Sequence, residues 1–302
     1  MSPALPAVSL AAVPGRRRAT LDLAREIERR GFAGIYCPSF GDGMGLCEAL
    51  ALSTSRIPFG TSIANIYLRH VSDYAQSAAL IHELSGGRFA FGVGVSHGPA
   101  LERVGVKAGP PLADMRAFVA GLRGAQRIGE LPPIVLATLR KRMIALAAEV
   151  GDGMVFANAA RSHVRESLSA LPPGRAEDPR FFVGDMIPTC ISDDEAAAAA
   201  VNRKTLIGYV SLPNYRNYWR EAGYVEEMNA IEKAVAARNF DQVPKLMSDR
   251  WLSDVTLYGS VRRVREGLEA WFDAGIKTPI LVPSSAAGNQ IKAFEELFAA
   301  FA

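Results

Sequence analysis

Cysteine is scarce in this chain of 302 residues: Cys37, Cys47 and Cys190 are the only three, and none forms a Cys-x-x-Cys pair. So sparse and odd a count excludes a disulfide framework and points to a reducing compartment. Histidines number four, with no His-Glu-x-x-His and no cysteine at metal-ligand spacing, so no metal site is expected. No apolar run approaches 18 uninterrupted residues, which excludes a membrane-spanning helix. Charge of one sign is also missing. The net value is +3, and the densest basic cluster is Arg16-Arg17-Arg18, read as a solvated helix start. Nucleic-acid binding is therefore not expected. The apolar residues 3–13 are short, broken by prolines and followed by arginines, so they read as a first strand rather than a signal peptide. A cytoplasmic protein is expected.

What is present is 49% hydrophobic and 22% charged, the composition of a globular chain. Strand-like and helix-like stretches alternate throughout. Near-continuous apolar runs at 7–12, 32–37, 57–63, 89–95, 134–137, 154–157, 181–191 and 277–282 read as strands buried on both faces, as parallel strands are. Helical periodicity fills the intervals, as with Met143, Leu146, Ala147 and Val150 on one face. Eight strands each followed by a helix predict an α/β fold, a single (β/α)8 TIM barrel. No Pro/Ser linker divides the chain, so 1–302 is expected to be one domain. A long helical excursion at about 193–274 precedes the last strand. Ser192-Asp193-Asp194-Glu195 reads as a capping box opening that excursion.

Barrel chemistry sits at the C-terminal ends of the strands. Here those ends read Cys37-Pro38-Ser39-Phe40, Ser62-Ile63-Ala64-Asn65, Val95-Ser96-His97, Thr138-Leu139-Arg140-Lys141 and Ala157-Asn158. They hold no paired carboxylates, no Walker loop and no G-x-S-x-G. Gly92, Gly94 and Gly98 miss the dinucleotide fingerprint by one residue and precede no strong helix, so a Rossmann reading is rejected. Ends so poor in acids, bases and ligands suit a bound cofactor that carries the redox chemistry. His97 is the one histidine at a strand end. Thr138 to Lys141 open a helix, where free N–H groups favour an anion.

The segment Arg56–Pro99, RIPFGTSIANIYLRHVSDYAQSAALIHELSGGRFAFGVGVSHGP, resembles the luciferase-like flavin- or F420-dependent oxidoreductases. Its marks are the G-T-x-I-x-N-x-Y-x-R strand end, the E-L-S-G-G-R-F turn and the G-x-G-V-S-H-x-P strand end. PPIVLATLRKRMIALAAEVGDGMVFAN is similar to the family's next block. YVSLPNYRNYWREAGY at 209–224 resembles a subgroup of probable coenzyme F420-dependent oxidoreductases.

The resemblance implies coenzyme F420, or alternatively FMN, across the barrel mouth. Ser62, Ile63 and Asn65 would back the ring, through a non-proline cis peptide at Ser62–Ile63. Val95, Ser96 and His97 would line it, with Ser39 beside them. Thr138, Leu139, Arg140, Lys141 and Ala157 would hold the phosphate. The implied activity is hydride transfer between F420 and a small-molecule substrate. His97 is the first candidate for proton donor or substrate orienter, and Asn214, Tyr215 and Arg216 are second, as lid residues. Two departures stand out. Arg140 occupies a place where the family usually has glycine. Several F420 enzymes put His at the end of the second strand and Glu near position 97, where this chain has Ser39-Phe40 and His97. An FMN-dependent monooxygenase using O2 and a catalytically silent flavin-binding barrel are the alternatives. The family also implies a homodimer formed through helices beside strands two to four.

Overall fold

The computed structural model describes residues 5–39 and 41–302, so Phe40 lies outside the described residues. The strands are β1 (Ala7–Ser9), β2 (Ile35–Cys37), β3 (Phe59–Thr61), β4 (Ala64–Asn65), β5 (Phe89–Gly94), β6 (Ile134–Ala137), β7 (Gly153–Ala157), β8 (Phe182–Ile191), β9 (Leu257–Gly259) and β10 (Thr278–Ser284). Helices separate the principal strands, and the fold is the expected (β/α)8 barrel. Each of the eight expected strands is found. The additions are the stubs β4 and β9, two and three residues long. The chain divides into two compact units, 1–156 with 170–184, and 157–169 with 185–302.

In the first unit the strands pair in the order β1-β2-β3-β5-β6-β7, with β4 paired to β5. The register sets Phe59 beside Phe89, Val93 beside Leu136 and Val135 beside Gly153, all parallel. Parallel pairing brings the C-terminal ends of β3, β5 and β6 to one edge. Helix Val71–Leu84 covers β5 through Tyr74, whose ring lies 5.6 Å from Phe91 and 5.7 Å from Phe118. His70 caps this helix: its Nδ1 accepts the Ser72 N–H at 3.3 Å.

Two charged side chains fasten the turns of this unit. Arg88 donates to the carbonyls of Ser85, Ile57, Ala51 and Thr54 and to the Thr54 hydroxyl, over the face of Phe59. Glu28 accepts the backbone N–H groups of Ser55, Arg56 and Ile57 at 2.8–2.9 Å. Desolvation pushes the Glu28 pKa up, but the N–H groups of Arg56, Ile57 and Ser55 outweigh it and leave it lowered. The carboxylate's stabilisation is thus full above the unfolded value of about 4.3 and lost as pH falls through the lower folded value. Glu28→Gln should cost about 1.5–3 kcal/mol at pH 7, the range for hydrogen bonds to a charged group. Urea unfolding should show this gap closing below about pH 4.3. A gap that stays constant on acidification would remove the charge from the explanation.

In the second unit, the C-terminal half of β8 pairs with β9, Thr189 beside Leu257 and Ile191 beside Gly259. The excursion holds helices Glu195–Val210, Pro213–Glu221, Val225–Ala236, Val243–Leu246 and Asp249–Val255. After β9 comes Val261–Ala274, so the block expected to be wholly helical contains a strand. The stub ends at Gly259, whose φ of 107° no helix accommodates. Trp219 and Trp251 meet edge to face at 4.9 Å in the core of this unit. The capping expectation is also corrected. Asp194, not Ser192, caps the helix, its carboxylate accepting the Ala197 N–H at 2.9 Å. Ser192 instead accepts the Asp194 N–H, and Glu195 pairs with Arg263 rather than reaching back.

Candidate active site

The first unit gathers most of the expected residues at one strand edge. Beyond β3 the chain makes a bulge, in which the Ser62–Ile63 peptide is cis, as the resemblance implied. Ser62 N–H donates to the Cys37 carbonyl at 2.7 Å, and Thr61 Oγ1 donates to the Gly92 carbonyl at 2.6 Å. Then β4 runs beside the end of β5, Ala64 against Val93 and Asn65 against Gly94. Asn65 is buried; its side-chain oxygen accepts the Tyr67 N–H and its carbonyl accepts the Tyr74 hydroxyl.

This approach depends on glycine. A Cβ on Gly94 would lie 2.8 Å from Ile63 Cδ1 and 3.0 Å from Ala137 Cβ. Gly92 and Gly94, set aside above as a failed dinucleotide motif, therefore let the bulge and the end of β6 close over β5. Past Gly94 the chain turns at Ser96, whose φ is +58°. Val95, Ser96 and His97 are half-buried. A short helix, Gly98–Arg103, follows where none was expected. Burial lowers the His97 pKa below its ordinary 6.5, so the neutral ring is favoured near neutral pH.

At the end of β6, Thr138 donates its N–H to the Val155 carbonyl at 2.8 Å. Its side chain is buried at 6% exposure, and its hydroxyl has no hydrogen-bond partner. Leu139 is half-buried, whereas Arg140 and Lys141 are exposed. The helix Lys141–Val150 has no side-chain cap and no acid in its first turn. A buried hydroxyl left unsatisfied costs free energy. Beside uncapped N–H groups and two cations, it fits a phosphate-bearing group. Ser39, at the end of β2, is exposed.

The second unit holds the remaining candidates. Ala157 ends β7 half-buried, and Asn158 follows at φ +59°. Asn214 is exposed, but Tyr215 and Arg216 are buried. The Tyr215 ring packs against Tyr209 at 5.1 Å and Trp219 at 5.4 Å; Arg216 donates to the Val210 carbonyl and to Glu232. Such an environment belongs to the helical core of this unit. Asp185, a lone acid inside an apolar run with no local sequence signal, is fully buried. Burial pushes its carboxyl well above the usual range, and only the Ala159 N–H, at 3.4 Å, pulls the other way. No helix among the described residues is long and apolar enough to cross a membrane, and no cluster among them could hold a metal ion.

The sequence profile of one family, described as luciferase-like monooxygenase, matches residues 4–278. A Mycobacterium tuberculosis protein provisionally named a coenzyme F420-dependent oxidoreductase is 24% identical over 281 residues, covering 78% of this chain and 81% of that protein. The solved coenzyme F420-dependent tetrahydromethanopterin reductase of Methanopyrus kandleri superposes with a TM-score of 0.76 at 18% identity over 97% of each chain. An F420-dependent secondary alcohol dehydrogenase, solved with an F420–acetone adduct, gives 0.75 at 14% identity over 99% of each.

Proposed function

The chain belongs to the luciferase-like monooxygenase family, and from that premise we propose that it is an oxidoreductase moving a hydride between coenzyme F420 and a small organic substrate. The observation that carries the choice of cofactor is the naming of the three similar proteins, each for F420. The unpartnered Thr138 hydroxyl at a helix start supports a phosphate-bearing cofactor in the first unit. When bound, F420 supplies the hydride-accepting or hydride-donating carbon. The chain does the rest. Ser62, Ile63 and Asn65 back the ring and fix which face reacts. Thr138 and the N–H groups opening the helix Lys141–Val150 hold the phosphate, with Arg140 and Lys141 adding charge. Val95 and Ser96 limit water at the ring edge, and His97 orients the substrate through a neutral imidazole. Tyr215, buried in its own unit, serves by packing, and Asn214 is one of the exposed polar groups of that helix. A cytoplasmic setting belongs to the same reading, in keeping with three cysteines that stay free thiols.

Titration of the purified protein with F420 and with FMN, followed by cofactor absorbance and fluorescence, tests this directly. F420 should bind more tightly. Micromolar FMN binding without measurable F420 binding would overturn it in favour of a flavin monooxygenase. Bound F420 that no substrate panel turns over would favour a silent binding barrel.

Arg140→Glu sets a negative charge beside the phosphate group. Cofactor affinity should fall by about 1–3 kcal/mol, the worth of a charge-assisted hydrogen bond. Affinity that does not move, at low salt or high, would place the tail elsewhere.

A further inference from the structure

Between His97 and the helix Pro111–Gly124, the chain makes only the short helix Gly98–Arg103, a turn at 104–105 and an irregular return. Leu101 is buried there, but residues 102–105 and 107–110 are exposed. Little packing therefore holds the segment that carries His97. One oxygen atom closes it. Asp114 Oδ2 accepts the Tyr67 hydroxyl at 2.6 Å and the Gly109 backbone N–H at 2.8 Å. Tyr67 is itself fixed to the bulge, its N–H donating to Asn65 Oδ1 at 3.0 Å. Asn65 in turn lies beside Gly94 in the pairing of β4 with β5, and Ile66 N–H donates to the Gly94 carbonyl. The approach of Gly109 needs a bare α-carbon. A Cβ there would stand 2.7 Å from Asp114 Oδ1 and 2.9 Å from Oδ2.

We propose that Asp114 is a positioning residue, whose one oxygen ties the far end of the His97 segment to the bulge and so keeps solvent from the strand-end site. The second half of this rests on the site proposed above. The first half does not. Each link is local to one unit, and each breaks in a defined way. Both hydrogen bonds end on the same oxygen, so the part is that of an acceptor, not of a charge. An amide oxygen in that place accepts both, and a methyl group accepts neither.

The experiment compares the full-length wild type with Asp114→Asn, Asp114→Ala, Tyr67→Phe and Gly109→Ala. Limited trypsin digestion reads the segment at Arg103 and Lys107, and hydrogen exchange reads 98–110 against the strands. Iodide quenching of bound F420, or of FMN if that is the one that binds, reads solvent access. Asp114→Ala should be cut at Arg103 or Lys107 about tenfold faster, as loss of two hydrogen bonds that close the segment implies. Asp114→Asn should stay within about twofold of wild type, and Tyr67→Phe should fall between. Iodide should quench bound cofactor more strongly in Asp114→Ala but not in Asp114→Asn. Equal cutting of wild type and Asp114→Ala, or an asparagine variant that behaves like alanine, overturns the tie. Faster cutting with unchanged quenching overturns the shielding role. If Asp114→Ala does not fold, Tyr67→Phe and Gly109→Ala carry the same comparison. A wild type that binds neither cofactor refutes the proposed site, while digestion and exchange still decide the tie.

Discussion

Gly92→Ala should leave little folded protein. The added Cβ would stand 1.9 Å from the Thr61 carbonyl oxygen and 3.0 Å from its carbon. That is backbone against backbone, so no side chain can swing aside. Thr61 cannot retreat cheaply either. Its hydroxyl holds the Gly92 carbonyl at 2.6 Å, it lies opposite Cys37 in the pairing of β2 with β3, and Ser62 beside it is bonded to Cys37. Overpacking usually costs about 1–3 kcal/mol, and a fixed backbone puts this case at about 3 kcal/mol or beyond. A loss of that size is a large part of a domain's whole stability. Gly208 makes the control. It lies within the helix Glu195–Val210 with nothing within 4 Å of its added Cβ. Gly208→Ala should gain up to ~1 kcal/mol from helix propensity. Urea midpoints should therefore move in opposite directions for the two variants. A wild-type midpoint for Gly92→Ala would mean that β5 and the bulge do not approach so closely.

The barrel strands were legible because burial on both faces makes each one an apolar run, and each expected strand has a counterpart in the structure. The stub β9 was not. Three residues between two helices carry no period, and only Gly259 hints at a break. Position at a strand end singles out Ser62, Asn65, His97 and Thr138 as candidates, but not their burial or partners. The glycines of β5 fail the dinucleotide spacing, as the barrel requires, but spacing does not show their work, which is to admit Thr61 and Ile63. Asp185 was hidden by its neighbours, one acid inside an apolar strand. The bond of Tyr67 to Asp114 spans 47 residues, and no local pattern signals a contact at that range. What escapes the sequence is thus contact between segments brought together by the fold, where residue type constrains the partner only weakly.

His97→Ala should lower kcat by about 10²–10⁴-fold while cofactor affinity changes by less than about tenfold. The ring follows the end of β5, next to a residue of positive φ, and is half-buried, at the edge where the proposed site lies. Burial bears on which chemistry is available. It lowers the His97 pKa below 6.5, so near neutral pH the ring carries one N–H and one bare nitrogen. A neutral imidazole can orient a substrate oxygen by donating its N–H, or accept a proton at the bare nitrogen. A stored imidazolium is disfavoured. The acid limb of the wild-type rate profile should accordingly fall below pH 6.5 and disappear in the alanine variant. The same lowered value has a stability consequence. The folded state favours the neutral ring, so its contribution is full above the unfolded pKa of about 6.5 and is lost as pH falls through the folded value. If His97 only caps or packs, the alanine variant should lose about 1 kcal/mol of stability and keep its kcat. The split between kcat and urea midpoint therefore separates the two roles. His97→Gln sharpens the comparison, because its amide donates a hydrogen bond but does not titrate. Rescue of kcat by glutamine, with a flat acid limb, would assign His97 to orientation. No rescue, with the limb gone in both variants, would assign it to proton transfer. Wild-type kcat in His97→Ala would remove the residue from the chemistry.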